Sequence, residues 1–422
     1  MVKDTADMAG PRLPWAGKRV STEHVGDELS HLWRMSADNM RTSQNINVRT
    51  SVLNLVICVP DTESAQRAST LIRDLSSTNV ARVILLILDT SSPDMVATWI
   101  TTRSFPIISD IMRHHFEQIT LIAGGSAVQS ISNIVQPLLK PDLPVYLWWL
   151  NDPPSDHNLF DALSALSHRI IVDSSTFLAP EESICTLSSL LQAYPDSALS
   201  DLNWGRITPW RELVAQFFDV AEYKPYLAGI DHIEIEHAVF PFALPIRTEQ
   251  GDVSPNPICA LLLAGWLKAS LGWKLSPGTH DMNEQHDSTS GSHHWRLLHS
   301  TGSLSGPSVR TNGSRTSKAE KPAYANLSIR PRIQSDMRPG SLCMVRMVGI
   351  VDNRRAIFTI NREDGPDHVL TSVELEQETR PQRTVSMTAS HKVSELLHDE
   401  LEIVSRDHLY EQTLQEVLEL LS

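Results

Sequence analysis

Val52-Leu53-Asn54-Leu55-Val56-Ile57-Cys58-Val59 is an almost unbroken apolar run. A strand with one wet face alternates apolar and polar residues. A continuous run suits a strand buried on both faces, as in a parallel sheet covered by helices. The signature returns in Val83-Ile84-Leu85-Leu86-Ile87-Leu88, Ile119-Thr120-Leu121-Ile122-Ala123, Val145-Tyr146-Leu147-Trp148-Trp149 and Arg169-Ile170-Ile171-Val172-Asp173. Between these runs the apolar residues fall at helical spacing. Asp61 can cap a helix with the face Ala65, Ala68, Leu71, Ile72 and Leu75. Val128, Ile131, Ile134, Val135 and Leu138 mark a second helix, and Leu159, Phe160, Leu163 and Leu166 a third. Strands alternating with helices predict an α/β fold: a doubly wound, mostly parallel sheet.

Reading outward, residues 1–50 form an N-terminal helix and arm, with Val25, Leu29, Leu32 and Met35 at helical spacing, and residues 51–200 form the sheet domain. Residues 201–275 carry a Trp/Arg segment and a helical extension, in which the helix from Pro257 to Leu271 is apolar nearly all round and so predicted to be buried. Ile233-Glu234-Ile235-Glu236 alternates as a half-exposed strand would. Residues 276–335 turn polar, with few aliphatics, and read as a linker or mobile loop. Residues 336–422 read as a small α+β unit: strands at Leu342–Val351, Ala356–Ile360 and His368–Leu375, then one acidic amphipathic helix from Val393 to Leu421. Asp352-Asn353 is the expected hairpin turn. The acidic helix either packs on the core or docks on a partner.

A formal net charge of −14 over 422 residues argues against a nucleic-acid or anionic-membrane binder. No apolar run is long enough to span a bilayer, and the polar start from Met1 to Lys18 does not read as a secretory signal, so a cytoplasmic location is expected. The four cysteines, Cys58, Cys185, Cys259 and Cys343, show no metal or redox spacing, and Cys58 and Cys259 are expected to be buried and inert. The seventeen histidines include the pairs His114-His115 and His293-His294, which are adjacent rather than spaced to share a helix face; no metal is expected.

Few residues suggest chemistry. Gly124-Gly125-Ser126 follows a strand and opens a helix, where backbone amides could cradle a phosphate, although no dinucleotide or P-loop pattern accompanies it. Asp173 stands at the carboxyl end of its strand, where open α/β sheets place ligands. Trp148 and Trp149 must point to opposite faces of theirs, which leaves one for the core and one near the strand end. Glu234 and Glu236 share a strand face and read as solvated. The densest segment is Asp201-Leu202-Asn203-Trp204-Gly205-Arg206-Ile207-Thr208-Pro209-Trp210-Arg211-Glu212. Thr208-Pro209 marks a helix start. Trp204, Arg206, Trp210 and Arg211 belong to the residue types most enriched at binding hot spots.

Leu53-Asn54-Leu55-Val56, the run from Pro137 to Trp149 and the segment from Asp201 to Glu212 together resemble the glucose-6-phosphate dehydrogenase assembly or activator proteins of the OpcA type. Phe116-Glu117-Gln118-Ile119 and the Arg169–Ser174 strand end fit as well. The resemblance is good from about 45 to 275 and weak beyond. It implies a protein without catalysis or cofactor that binds glucose-6-phosphate dehydrogenase, promotes its active oligomer and raises its activity, supporting NADPH production in the oxidative pentose phosphate pathway. Trp148, Trp149, Asp173, Trp204, Arg206, Trp210 and Arg211 are then the candidate partner-binding residues. The alternative is a sugar-phosphate- or nucleotide-binding α/β enzyme that uses the Gly124-Gly125 turn and Asp173.

Overall fold

The computed structural model describes residues 13–40, 46–48, 51–75, 81–108, 112–154, 158–240, 246–248, 251–253, 256–276, 292–299, 324–362, 368–376, 378–379, 382–387, 392–403 and 405–422. The chain divides into two units, and the division is not sequential. The first comprises 1–173, 190–200 and 392–406; the second comprises 174–189, 201–391 and 407–422.

The first unit is built on a nine-stranded sheet: β1 (Lys18–Val20), β2 (Ile46–Val48), β3 (Leu53–Val59), β4 (Ala81–Asp89), β5 (Met95–Ile108), β6 (Met112–Gly124), β7 (Val145–Trp149), β8 (Arg169–Val172) and β9 (Ala198–Asp201). Its order is β1-β5-β6-β4-β3-β7-β8-β9, with β2 beside β6. The run from β6 through β4, β3 and β7 to β8 is parallel. The helices of this part are α1 (Val25–Met40), α2 (Thr62–Leu75), α3 (Ile131–Val135) and α4 (Asn158–Ser164). Every residue of β3 is buried, as its unbroken apolar run requires. Even Asn54 is buried, because its amide donates to the carbonyls of Lys140 and Leu143 and its Oδ1 accepts from Lys140 N. Strand β5 has no counterpart among the sequence expectations. Its alternation of Val96, Thr98 and Ile100 with Ala97, Trp99 and Thr101 pairs antiparallel with β6 in register Trp99↔Thr120.

One buried carboxylate organises the middle of this unit. Glu117 on β6 is about 1% exposed and accepts from Arg82 Nε and Nη2 at 3.0 and 2.8 Å and from the Trp33 indole, with Lys140 Nζ at 3.7 Å. A buried charge survives only when paired and hydrogen-bonded in this way.

Helix α5 (Pro180–Ala193) leads on, and the second unit continues with α6 (Leu202–Arg206), α7 (Thr208–Asp219), β10 (Ile230–Val239), the hairpin β11 (Ile246–Thr248) and β12 (Gly251–Val253), and α8 (Ile258–Leu271). Then come β13 (Trp273–Leu275), β14 (His293–His299), β15 (Tyr324–Ile333), β16 (Leu342–Val351), β17 (Arg354–Asn361), β18 (His368–Leu375), β19 (Glu378–Thr379) and β20 (Arg383–Ser386). Helix α9 (Val393–Glu402) belongs to the first unit and α10 (His408–Leu421) to the second. The second nine-stranded sheet runs β13-β14-β15-β10-β16-β17-β18-β19, with β20 beside β18. Among its described residues only β10 and β15 pair parallel; the other neighbours are antiparallel.

Three expectations change. The three C-terminal strands are not a separate small sheet, because β10 supplies their neighbour. Within the expected linker, β14 and β15 are strands: His293, Trp295 and Leu297 alternate inward with exposed His294 and Arg296, a pattern hidden by the polar residues around it. The C-terminal helix is two helices, because Ile403 turns extended and Asp407 starts a new one by accepting from Leu409 N and Tyr410 N at 3.0 Å. The hairpin turn falls where expected: Asp352 and Asn353 have φ of 50° and 60°, the backbone of a two-residue type I′ turn, joining β16 to β17.

Helix α8 is buried nearly all round and packs against α10 and the sheet. Its Lys268 is about 1% exposed and is held by Glu416, and by Glu419 at 2.7 Å. Where α8 crosses α10, Gly265 leaves no room: an added Cβ would lie 2.8 Å from Val417 Cγ2 and 2.9 Å from the Thr413 carbonyl oxygen. Gly265→Ala should therefore destabilise the protein by about 1–3 kcal/mol despite alanine's better helix propensity. A urea unfolding midpoint equal to or above wild type would show that this crossing is loose.

Candidate functional site

The parallel strands set where a ligand would bind. From β3 the chain moves outward through β4 to β6, then returns to place β7 on the other side of β3. The carboxyl ends of β3 and β7 are thus the switch point at which open α/β sheets bind ligands. In this chain Val59-Pro60-Asp61-Thr62 stands there. Proline offers no amide to a phosphate. The Asp61 carboxylate takes the start of α2 for itself, accepting from Ser64 N at 2.7 Å and Ser64 Oγ at 3.0 Å. Across the switch point Leu150 N donates to the Cys58 carbonyl, and the Trp149 indole donates to the Asp152 carbonyl at 3.1 Å.

The Gly124-Gly125-Ser126 turn is filled in the same way. Gly125 has φ of 54°, and the Ser126 amide and hydroxyl donate to Asp94 at 2.7 and 2.9 Å. Those two hydrogen bonds hold the Asp94 carboxyl below its usual range. The donors that could cradle a phosphate are spent on a carboxylate of the chain itself.

In the first unit, Trp148 and Trp149 end β7, and Asp173 directly follows β8, whose Ile171 pairs with Trp148. Trp149 does stand at the strand end, but both side chains are core: Trp148 and Trp149 are 1% and 5% exposed. A strand inside a parallel sheet is covered on both faces, and Trp149 packs edge-on against Phe160 at 4.7 Å. Asp173 is also buried. Arg169, at the other end of β8, is held by Ser200 and by the Ser405 carbonyl at 2.6 Å, with Glu400 at 3.6 Å.

In the second unit the Trp/Arg segment forms an internal clamp. Asp201 Oδ1 caps α6, accepting from Asn203 N at 2.9 Å, and also accepts from Ser174 N. Trp204 is buried; its indole donates to Asp407 Oδ2 at 2.8 Å and its ring lies 5.7 Å from that of Tyr410. The Arg211 guanidinium stacks 3.5 Å over the Trp204 ring and donates to Thr208 Oγ1 at 2.7 Å. Burial pulls the Arg211 pKa down to about 10, with Asp407 acting in the opposite direction. Arg206 donates to Ser175 Oγ at 3.0 Å. Trp210 is buried beneath the Arg362 guanidinium, 5.4 Å from its ring. The indoles are thus framework; Arg206 and Arg211 are half-buried, and Glu212 at the end of the segment is exposed. Asp407, the partner that orders Trp204, is legible in sequence only as an N-cap before the spacing Tyr410, Leu414 and Val417.

Of the cysteines, Cys58, Cys259 and Cys343 are buried and Cys185 is exposed. Burial raises the Cys58 thiol far above its ordinary range and pushes Cys343 up to about 11. Among the described residues no group of three His, Cys, Asp or Glu side chains is placed to hold a metal, and no helix is long and apolar enough to cross a membrane. His293 sits 3.5 Å from Glu181 and stacks on Trp295; the side chains of His114 and His115 lie outside the described residues.

The architecture is that of a two-unit α/β protein whose nucleotide-type positions are occupied by its own carboxylates. The family described as the C-terminal domain of a glucose-6-phosphate dehydrogenase subunit matches residues 197–414, and its N-terminal counterpart matches residues 72–189. The chain therefore belongs to the OpcA-type glucose-6-phosphate dehydrogenase assembly family. Curated relatives named OxPP cycle protein OpcA agree. That of Synechocystis sp. is 33% identical over 173 residues, 40% of this chain and 33% of the relative. That of Nostoc punctiforme is 35% identical over 158 residues, 37% of this chain and 30% of the relative. The chain spans about a third of the length of these relatives. Among solved structures, a levoglucosan dehydrogenase with NADH and L-sorbose aligns over 87% of this chain and 91% of its own, at a TM-score of 0.43 and 10% identity.

The burial of the thiols and the Trp204 clamp can each be tested. At pH 8 an aromatic disulfide reagent should label the exposed Cys185 first, at a rate held down because partial burial and then Glu181 and Glu182 raise its thiol pKa, and the three covered thiols only after unfolding; labelling of two or more thiols in the native protein would contradict the burial. Asp407→Ala removes both the cap of α10 and the acceptor of a buried indole, and should lower stability by about 2–3 kcal/mol in urea unfolding. A loss under about 1 kcal/mol would show that the clamp is not rigid.

Proposed function

We propose that this protein binds glucose-6-phosphate dehydrogenase, promotes its active oligomer and raises its activity without catalysing a reaction of its own. The observation that carries this reading is membership, through both halves of the chain, in a family described by that dehydrogenase. Two features of the molecule support it. Asp61 and Asp94 stand where a cofactor or sugar phosphate would need free amides. The Trp/Arg segment is rich in residues that dominate protein interfaces, and its Asp201 and Thr208 are engaged in capping α6 and holding Arg211. The setting is the oxidative pentose phosphate pathway in the cytoplasm, with the dehydrogenase as partner rather than nucleic acid or membrane.

The thermodynamics are those of population shift. The activator must bind the competent dehydrogenase assembly more tightly than the less active one, and a tenfold shift requires only about 1.4 kcal/mol of difference. Within the candidate residues, Trp148, Trp149, Asp173, Trp204 and Trp210 act as framework, while Arg206 and Arg211 reach the partner.

The test is dehydrogenase activity measured with the cognate enzyme at increasing amounts of this protein. A saturable rise in rate is expected. Replacing Arg206 and Arg211 together by Ala should remove most of that rise while leaving the far-ultraviolet spectrum unchanged. No rise with wild type would refute the function; a full rise with the double variant would refute the role of the two arginines.

A further inference from the structure

The second sheet has one covered and one open face. Ile233 and Ile235 on β10, Leu327 and Ile329 on β15, and Phe358 and Ile360 on β17 are buried on the side that meets α7 and α8. The alternate positions on the same strands carry Glu234, Glu236, Arg330, Arg332, Thr359 and Asn361, which remain partly or fully exposed. An antiparallel sheet can leave one face to water. The composition of this face is nevertheless unlike ordinary solvated surface.

All its cations are arginines; β10 and β14 to β18 contain no lysine. Protein interfaces are enriched in Arg, Tyr and Met and depleted in Lys. Two of the arginines are pre-set by carboxylates: Arg330 meets Glu234 at 2.8 Å, and Arg332 meets Glu236 at 3.5 Å and donates to Asn361 at 2.8 Å. Arg296 stacks on Tyr324 at 4.1 Å. Among the described residues Arg296, Arg346 and Arg355 have no carboxylate within ion-pair distance, against the single unpaired carboxylate of Glu374; Asp231 stands close enough to Arg355 to feel its field. The uncompensated charge here is therefore positive, on a chain whose net charge is −14. His294 on the same face is held below its ordinary pKa mainly by partial burial, with His232 and Arg330 acting in the same direction.

The face also has shape and size. A hollow of about 520 Å³ opens on it between Glu236, Arg332, Met344, Arg346, Asn361 and Glu374. Six strands spaced about 4.8 Å apart, each about eight residues long, present on the order of 600 Å², close to the roughly 800 Å² that each partner buries in a standard interface.

We propose that this open sheet face is a docking surface for a carboxylate-rich face of a partner protein. Resting on the function proposed above, that partner is the dehydrogenase, and the sheet provides a second contact area besides Arg206 and Arg211. A second copy of this chain fits less well, because it would bring the same uncompensated arginines against one another. Charge of this kind steers encounter, so it should act mainly on the association rate and weaken with salt.

The experiment is binding of the cognate dehydrogenase to the full chain, followed by surface kinetics at low and high salt. The variants are Arg346→Glu with Arg355→Glu, the milder Arg346→Gln, and Arg67→Glu, an exposed control in the first unit. The double reversal should weaken binding at least tenfold, mostly through slower association, and flatten the salt dependence. Arg346→Gln should weaken it a few-fold, and Arg67→Glu should leave it within twofold. If wild type binds and activates but the double reversal binds equally well, the docking surface is refuted and the activator reading stands. If wild type neither binds nor activates, both fall. If the double reversal leaves the dehydrogenase complex intact and instead abolishes self-association seen by sedimentation of the protein alone, the face serves a second copy and the proposal is wrong.

Discussion

A helix that is apolar on every side must be covered on every side, and in the second unit that constraint shapes most of what surrounds it. Helix α8 has strands β10 and β15 on one flank and α10 on another, so the end of the chain is needed to finish the core. Its one basic residue, Lys268, is tolerated because Glu416 and Glu419 of α10 close on it. Only removal of both carboxylates would leave the buried ammonium without a counter-charge, at a cost of several kcal/mol. The same helix α10 opens with Asp407, which captures the Trp204 indole. The most distinctive segment of the sequence is thereby tied to the last helix.

That tie changes how the Trp/Arg segment is understood. Aromatic and arginine residues crowded into one loop suggest an exposed hot spot when read as sequence. In three dimensions the indoles are interior: Arg211 stacks on Trp204, and Arg362, from outside the segment, lies over Trp210. A stacked guanidinium is held in one orientation before any partner arrives, which lowers the ordering entropy that association would otherwise incur. The open sheet shows the same economy of motion, since Glu234 and Glu236 already orient Arg330 and Arg332.

Much of the first unit was legible because burial on both faces leaves a strong imprint. The runs at β3, β4, β7 and β8 are apolar apart from single polar residues such as Asn54 and Arg169, and the helices between them show their spacing. What escaped has physical reasons. In strand β5 the residues Ala97, Thr98, Trp99 and Ile100 are all buried, so apolar and threonine side chains occupy both faces and its period is faint. Strands β14 and β15 lie between polar stretches and pair with each other, and β15 also pairs with β10, about ninety residues earlier; no local pattern announces so distant a neighbour. The carboxylates of Asp94 and Asp407 act on groups 32 and 203 positions away. Local sequence can name them as turn and cap residues, but not as the partners of Ser126 and Trp204.

The central claim is association with the dehydrogenase, and sedimentation velocity of the two purified proteins mixed at micromolar concentration tests it most directly. The account predicts a new, faster boundary that contains both proteins and grows to saturation as this chain is added. Two boundaries that keep their separate sedimentation coefficients at every ratio would contradict it.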